Sequence, residues 1–302
     1  MNLSLLEINY WRYFLMFTGK LSTTTPSQLQ DFLTCPQMYN FKHVLKIPDP
    51  LTGAGWLGMK VHETLNAFKL YRGCHQEEKS TTCLDTKFCI KSFSSSFFEF
   101  NEPSSNKIVI NWKKETPQSL YLLGEKFVTI ILKSYSFRNS LLQDTRNTYL
   151  MHLLRDPVQD TFIPCADPSD DTLSIECCFD GIMQNHTIIE YHTCKKSCNK
   201  AEVEAKLKFG LLGIAIHMKY SHPSDQSTSF ICYNMIKKAN YPILQVMTFE
   251  KNDIDRKKIL KYLYDICLLI ETNLFPPRAT NFCKSCCSYM DRCNLFNTNE
   301  VN

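Results

Sequence analysis

Residues 180–196, DGIMQNHTIIEYHTCKK, set an acidic residue, a short polar break and an apolar strand in immediate succession. Few backbone arrangements accommodate that order. Residues two apart on a strand share a face, so Glu190 and His192 project together and Tyr191 points the other way. For Asp180 to lie across from Glu190 in a hairpin, the pairing must centre on residue 185. That demands an odd-length loop, Gln184-Asn185-His186, with Asn185 taking the left-handed conformation. Two carboxylates brought face to face repel. A divalent cation between them removes the penalty, and oxygen ligands suit Mg²⁺ or Mn²⁺.

The rest of the chain can support such a site. Of 302 residues, 44% are hydrophobic and 12% aromatic, enough to bury a sizeable core and to exclude a disordered chain. A net charge of +4 permits a basic groove for nucleic acid without arguing for one. Fifteen cysteines, an odd number at uneven spacing, argue against a disulfide framework and for a reducing interior. Cytoplasm or nucleus fits that composition, with a mitochondrial location left open. The tight cluster Cys283, Cys286, Cys287, Cys293 reads as metal ligation by thiolates. Residues 1–21 form an N-terminal extension whose apolar patch, YFLMF, is broken by flanking charge and too short to span a bilayer. It lacks the pattern of a secretory signal and is too poor in arginine for a mitochondrial presequence, so an extra strand or helix packed on the core is expected. No other stretch reads as a membrane span.

Along the chain, Thr25-Pro26-Ser27-Gln28 is a helix start, with Thr25 as cap and Gln28 completing a capping box. Pro36 breaks this helix and starts another, leaving Cys35 at the junction. Residues 53–56 read as a loop and 58–71 as a helix, with Val61, Leu65 and Phe68 inward and His62 off the centre of that stripe. Residues 73–114 are polar and Ser-rich, the best candidate for a variable insertion or mobile loop. A helix over 120–137 follows, then strands over 158–164, 173–182 and 188–193. A helix from about residue 201, an apolar run over 209–218, a strand over 229–236 and a last helix over 253–272 complete the pattern before Pro276-Pro277. Neither an internal repeat nor a separating linker is evident, so residues 22–296 read as one domain, with an insertion over about 73–157 and a tail over 297–302.

Five motifs in this order resemble the RecB-type branch of the PD-(D/E)XK nucleases, and within it the iron–sulfur members: the AddB nuclease domain, exonuclease V and the CRISPR-associated adaptation exonucleases. TPSQLQDFLTCPQMYNFKHVLKI resembles the opening helix-Cys-Pro-helix, and GMKVHETLNAF the G-x-x-x-H helix. VQDTF resembles the V-E-x-x-F strand, FDGI with IIEYHT the G-x-x-D…D-Y-K-T hairpin, and FPPRATNFCKSCCSYMDRC the closing C-x2-C-x5-C. The fold this implies is α/β: a restriction-endonuclease-like mixed sheet flanked by helices, with a helical insertion and a cluster clamp joining the two ends. The resemblance also adds His62 to Asp180 and Glu190 as a metal ligand. DNA, as single strands or ends, would be the substrate, and a helicase or repair complex a partner.

At three positions the chain departs from that pattern. His192 stands where the family carries a lysine that stabilises charge on the water or the phosphate. Imidazole is shorter and largely neutral, and a nearby cation lowers its pKa further, so it can orient a water but not replace a permanent charge. Gln159 stands where the family has glutamate. Lys206 or Lys208 stands near a glutamine-to-tyrosine motif whose tyrosine is replaced by Gly210 or Leu212. Lys206 or Lys208 could supply the missing cation from the following helix, or could be a solvated helix lysine. Lys195 and Lys196 contact DNA backbone or nothing.

Cys35 with three of Cys283, Cys286, Cys287 and Cys293 could supply four thiolates, which the resemblance assigns to a 4Fe-4S cluster. Structural Zn²⁺ in the same thiolates is the alternative. Cys283-x2-Cys286 matches the family's first spacing, whereas Cys287 gives the five residues before Cys293 and the following Tyr289, so spacing leaves Cys286 and Cys287 open. Cys177, Cys178 and Cys232 read as small core residues. Three functions follow: a metal-dependent DNA nuclease with altered chemistry, an inactive nuclease fold that binds DNA or a repair partner, and a structural protein with a zinc clamp.

Overall fold

Thr25 caps the first helix as expected: its hydroxyl accepts the Gln28 N–H, and Gln28 reaches back to the Thr25 N–H, a complete capping box. The computed structural model describes residues 21–74, 82–101, 110–112, 115–134, 142–145, 148–220, 226–237, 241–279, 283, 287–293 and 295–296. The expected N-terminal extension up to residue 20, Tyr135, Cys286 and the tail over 297–302 lie outside them.

In chain order the elements are β1 (Thr23–Thr24), α1 (Pro26–Thr34), α2 (Pro36–Tyr39), β2 (Leu51–Thr52), α3 (Gly53–Cys74), α4 (Thr82–Phe97), β3 (Ile110–Asn111) and α5 (Pro117–Leu132). There follow β4 (Leu142–Thr145), β5 (Thr148–Asp156), β6 (Thr161–Cys165), β7 (Thr172–Cys178), β8 (Gly181–Met183) and β9 (Ile188–Cys194). The chain closes with α6 (Lys200–Glu204), α7 (Leu207–Lys219), β10 (Thr228–Ile236), β11 (Ile243–Lys251) and α8 (Asp253–Glu271). The strands form a five-stranded mixed sheet, β11-β10-β9-β8-β4, and a four-stranded one, β1-β7-β5-β6, beside the short pair β2-β3. Within the larger sheet β9 and β10 run parallel and the other pairs antiparallel. This is the expected α/β class, a mixed sheet flanked by helices. Among the described residues no helix is long and apolar enough to cross a membrane.

Strand β9 is buried on both faces, which its apolar start permits. Ile189 and Tyr191 join Tyr233 and Met235 against α3, α4 and α5. Ile188 on the opposite face joins Phe230, Cys232 and Phe249 in a second core with α1, α7 and α8. Two different helix layers therefore sandwich the strand that carries Glu190.

Several local expectations change. Residues 53–56 are not a loop but the first turn of α3: a Cβ on Gly53 would lie 2.8 Å from Leu120 and Trp112, so glycine serves packing rather than a break. The Ser-rich stretch holds α4, whose Cys89, Phe93 and Phe97 are fully buried at helical spacing. The strand expected over 158–164 begins only at Thr161; Gln159 sits exposed in the turn between β5 and β6, with its N–H on the Asp156 carboxylate. Cys177 and Cys232 are core residues, but Cys178 is exposed.

Arg155 on β5 and Glu271 on α8 are 8% and 4% exposed and pair through both terminal guanidinium nitrogens, while Glu271 also accepts the Leu21 N–H. Removing one partner of such a pair leaves the other charge stranded in the core. Arg155→Met should therefore lower unfolding free energy by about 3–5 kcal/mol, and Arg155→Met with Glu271→Leu should recover most of it, as read by urea denaturation. A single variant that costs under about 1 kcal/mol would show the pair to be dispensable.

Candidate active site

The hairpin closes in the expected register. Gly181 pairs with Ile189 and Ile182 with Ile188, so the pairing centres on residue 185. Met183 donates to the Thr187 carbonyl and His186 to the Met183 carbonyl, enclosing the loop Gln184-Asn185-His186. The left-handed residue is His186, at φ 61°, not Asn185. A three-residue hairpin loop puts its left-handed turn at the third position, after a type I turn, which fixes the residue by geometry rather than by propensity.

Asp180 lies one residue before the ladder, in the bend where the chain leaves β7 of one sheet for β8 of the other. Its Oδ2 accepts the Tyr191 N–H at 2.9 Å and its Oδ1 faces His62 Nδ1 at 3.0 Å. His62 arrives from α3, which approaches β9 closely one turn earlier: a Cβ on Gly58 would stand 3.0 Å from Thr193 Oγ1. That contact gives the G-x-x-x-H spacing a physical basis. The glycine admits the helix, and the histidine four residues on meets the acid.

Glu190 is completely buried, and Lys208 from the first turn of α7 forms an ion pair with its Oε2. The lysine side chain stays 34% exposed along its stem while its ammonium reaches into the cleft. Glu190 Oε1 has no hydrogen-bond donor. Lys206, the other candidate cation, is exposed at the N-cap of α7 and does not touch the carboxylates, so the geometry singles out Lys208. Gly210 packs where a Cβ would lie 2.4 Å from Ile259, leaving a tyrosine there no room. Lys195 and Lys196 follow β9 as exposed loop residues.

His192 is held apart from this group. Its Nδ1 lies 2.9 Å from Asn234 Oδ1, its partner on the neighbouring β10, so the ring carries its proton there and keeps Nε2 as an acceptor. Burial, and then Lys208, push its pKa down to about 4. The imidazole is neutral, as its position beside a cation implies.

The electrostatics of the other groups divide by burial. Burial drives the Glu190 carboxyl up to about 7 even with Lys208 beside it. Burial also opposes ionisation of Asp180, but the charges of His62 and Lys208 outweigh it and its pKa falls. His62 is raised because Asp180 overcomes its desolvation, and Lys208 is raised because Glu190 and Asp180 overcome its own.

A divalent cation suits these donors. An enclosed carboxylate oxygen without a donor is costly to leave so, and Asp180, Glu190 and His62 offer hard oxygens and one imidazole. Among the described residues no three His, Cys, Asp or Glu side chains already stand around one point at metal-ligand spacing. Metal entry would therefore have to exchange Lys208 for the cation at Glu190.

The family model for the PD-(D/E)XK nuclease superfamily matches residues 23–294. The chain belongs to this superfamily. A solved structure from Eubacterium rectale, described provisionally as an exonuclease, is similar at a TM-score of 0.51 and 9% identity, covering all of this chain and 95% of that one. It supports the PD-(D/E)XK fold alone. A second, SSO0001, covers 89% of this chain and 95% of its own at 13% identity, with a TM-score of 0.35 that carries no argument. No curated protein matches the chain significantly. PD-(D/E)XK nucleases generally use Mg²⁺ or Mn²⁺.

Cys35, Cys283, Cys287 and Cys293 line one pocket, with Met38, Phe41 and Tyr289 around them. Arg278 fastens it: its N–H faces Cys35 Sγ at 3.4 Å, and Cys283 Sγ faces its carbonyl at 3.4 Å. Tyr289 donates to the Ile47 carbonyl at 3.0 Å, binding the C-terminal segment to the loop after α2. Burial, and then the Cys283, Cys35 and Cys293 sulfurs, raise the Cys287 thiol. The four thiols share this pocket, although among the described residues no three of them stand around one point at metal-ligand spacing. Sequence spacing left Cys286 and Cys287 open; Cys287 lines the pocket, and Cys286 lies outside the described residues.

Without metal, pH should act on stability through Glu190. Its folded pKa of about 7 stands above its ordinary 4.5, so the folded chain holds the proton longer than the unfolded one, and stability falls as pH rises between those values. His62, also raised, adds a loss at higher pH, whereas the lowered Asp180 matters only at the acid end. Metal-free protein should lose Tm between about pH 5 and pH 7.5, most of the slope should vanish in Glu190→Gln, and Mn²⁺ should restore Tm at pH 7.5 only in the parent. An unchanged slope in the variant would contradict the assignment.

Proposed function

We propose that the protein is a Mg²⁺- or Mn²⁺-dependent DNA nuclease of the RecB/AddB/exonuclease V-like branch, acting on single strands or ends in DNA repair or recombination. The observation that carries this reading is the Lys208 ammonium on the Glu190 carboxylate. It supplies, from α7, the permanent positive charge that His192 lacks. Asp180, Glu190 and His62 would hold the cation. When bound, the metal polarises a phosphoryl oxygen and lowers the pKa of a water.

The chain's own residues do the rest. Lys208 leaves Glu190 for the scissile phosphate and stabilises the negative charge that grows there. His192, fixed by Asn234, keeps Nε2 unprotonated to accept a hydrogen bond from a water. Tyr191 N–H and His62 hold the Asp180 carboxylate in one orientation. Lys195 and Lys196 follow this strand on the surface, placed to meet the sugar-phosphate backbone. The four-cysteine pocket would take a 4Fe-4S cluster through Cys35, Cys283, Cys287 and Cys293, clamping the two ends of the chain in a reducing compartment.

Purified protein with Mn²⁺ should degrade single-stranded DNA, Asp180→Ala should abolish this, and Lys208→Met should lower kcat about 10²–10³-fold. Lys206→Met should cost less than about tenfold. DNA binding without cleavage above the Asp180→Ala background would instead identify a non-catalytic binder. Anaerobically prepared protein should absorb in the blue, with Cys287→Ser losing the band; zinc without that band would assign the pocket to Zn²⁺.

A further inference from the structure

Beyond the carboxylate cluster and the four-cysteine pocket lies a second pair of thiols. Cys194 ends β9, and Cys198 lies in the loop that follows, with Sγ atoms 3.8 Å apart. Both are half-buried. Each end of the loop is tied down independently: the Cys194 carbonyl accepts the Lys237 N–H at 2.8 Å, and Gln245 of β11 bonds both the N–H and the carbonyl of Cys198, at 3.2 and 3.1 Å. Neither tie involves sulfur, so the backbone holds the two side chains together rather than the reverse. A disulfide needs about 2.05 Å between sulfurs, so the two must approach by a little under 2 Å to bond.

We propose that Cys194 and Cys198 form a reversible dithiol–disulfide site at the exit of the strand that carries Glu190, oxidised by small-molecule disulfides. The Cys198 thiolate attacks one sulfur of the small disulfide and expels its other half as a thiolate, leaving a mixed disulfide. The Cys194 sulfur then attacks Cys198 Sγ and expels the second half. Two protein thiols lose their protons and two electrons, and the small disulfide becomes two thiols. Cys194 suits the second role. Its thiol is pushed up to about 11 by burial and then by Cys198; capping Cys198 in the mixed disulfide removes the second cause, and proximity lets the small thiolate fraction of Cys194 complete the exchange. The ring closes over Lys195 and Lys196 and fixes the loop that bears them. A reducing interior keeps it open.

The site can be read without any nuclease assay. Lys195 and Lys196 lie between the two sulfurs, so trypsin separates Cys194 from Cys198 and a disulfide appears as a joined peptide pair. After exposure of the folded full-length protein to glutathione disulfide, this pair should exceed any other protein disulfide at least about tenfold and disappear on reduction. Chain unfolded in urea before oxidation should give a mixture of pairings. Three results would overturn the proposal: separate, unlinked peptides; Cys198 halted as its glutathione adduct; or equal dominance of the pair in unfolded chain, which would assign it to sequence proximity alone. Cys198→Ser should leave Cys194 unlinked while retaining the parent's Tm; a Cys194 linked elsewhere in that variant would count against the pair. DNA cleavage is measured separately, so failure of the nuclease reading leaves this outcome unaffected.

Discussion

Glu190 is the side chain on which the rest of the arrangement depends. An ionised carboxylate sealed between a sheet and a helix costs several kcal/mol unless its charge is met. Here one oxygen meets Lys208 and the other meets no donor. The neighbourhood is built around that deficit. Helix α3 brings His62, the crossing between sheets brings Asp180, and α7 brings Lys208, so three separate elements converge on charges that would be unfavourable singly. The raised pKa of Glu190 measures what is left uncompensated.

The placement of Lys208 follows from that geometry. Position 192 sits beside β10, where Asn234 takes its ring nitrogen and Phe209 packs near its edge, so its side chain is committed sideways along the sheet. A lysine on the first turn of α7 approaches from across the cleft, with a stem long enough to remain partly in solvent. A cation so near a helix N-terminus opposes the helix dipole by about 0.3–1 kcal/mol. The Glu190 contact offsets this. Lys206, two residues earlier, precedes the first helical turn and is exposed, with no such partner to reward burial.

What the sequence made legible was what symmetry and capping determine. An apolar strand with acids at 180 and 190 admits one pairing centre, and the ladder obeys it. The starts of α1 and α8 follow from side-chain caps readable as residue types. What it concealed was decided by tertiary contact. Serines at 94, 95 and 96 mask the buried stripe Cys89, Phe93 and Phe97 that makes α4 a core helix. Gly53 and Gly55 resemble loop residues but start α3, because Leu120 and Trp112 press against the first of them. Gln159 suggested a strand and lies in a turn, since the strand pairing resumes only at Thr161. The choice between Lys206 and Lys208 turned on where α7 begins, a difference of two residues that no spacing rule resolves.

The ends of the chain are joined by chemistry distinct from that of the carboxylates. Glu271 near the end of α8 takes both the Arg155 guanidinium and the Leu21 N–H, while Tyr289 and Arg278 draw the last segment onto the residues around Cys35. These fastenings do not touch Asp180 or Glu190, yet β1, which follows Leu21, pairs with β7, and β7 leads directly into Asp180. A group held by the four thiols would therefore act on the site through strand position rather than through charge. Losing it should loosen the crossing that aims Asp180 while leaving the Glu190–Lys208 pair, which rests on β9 and α7, in contact.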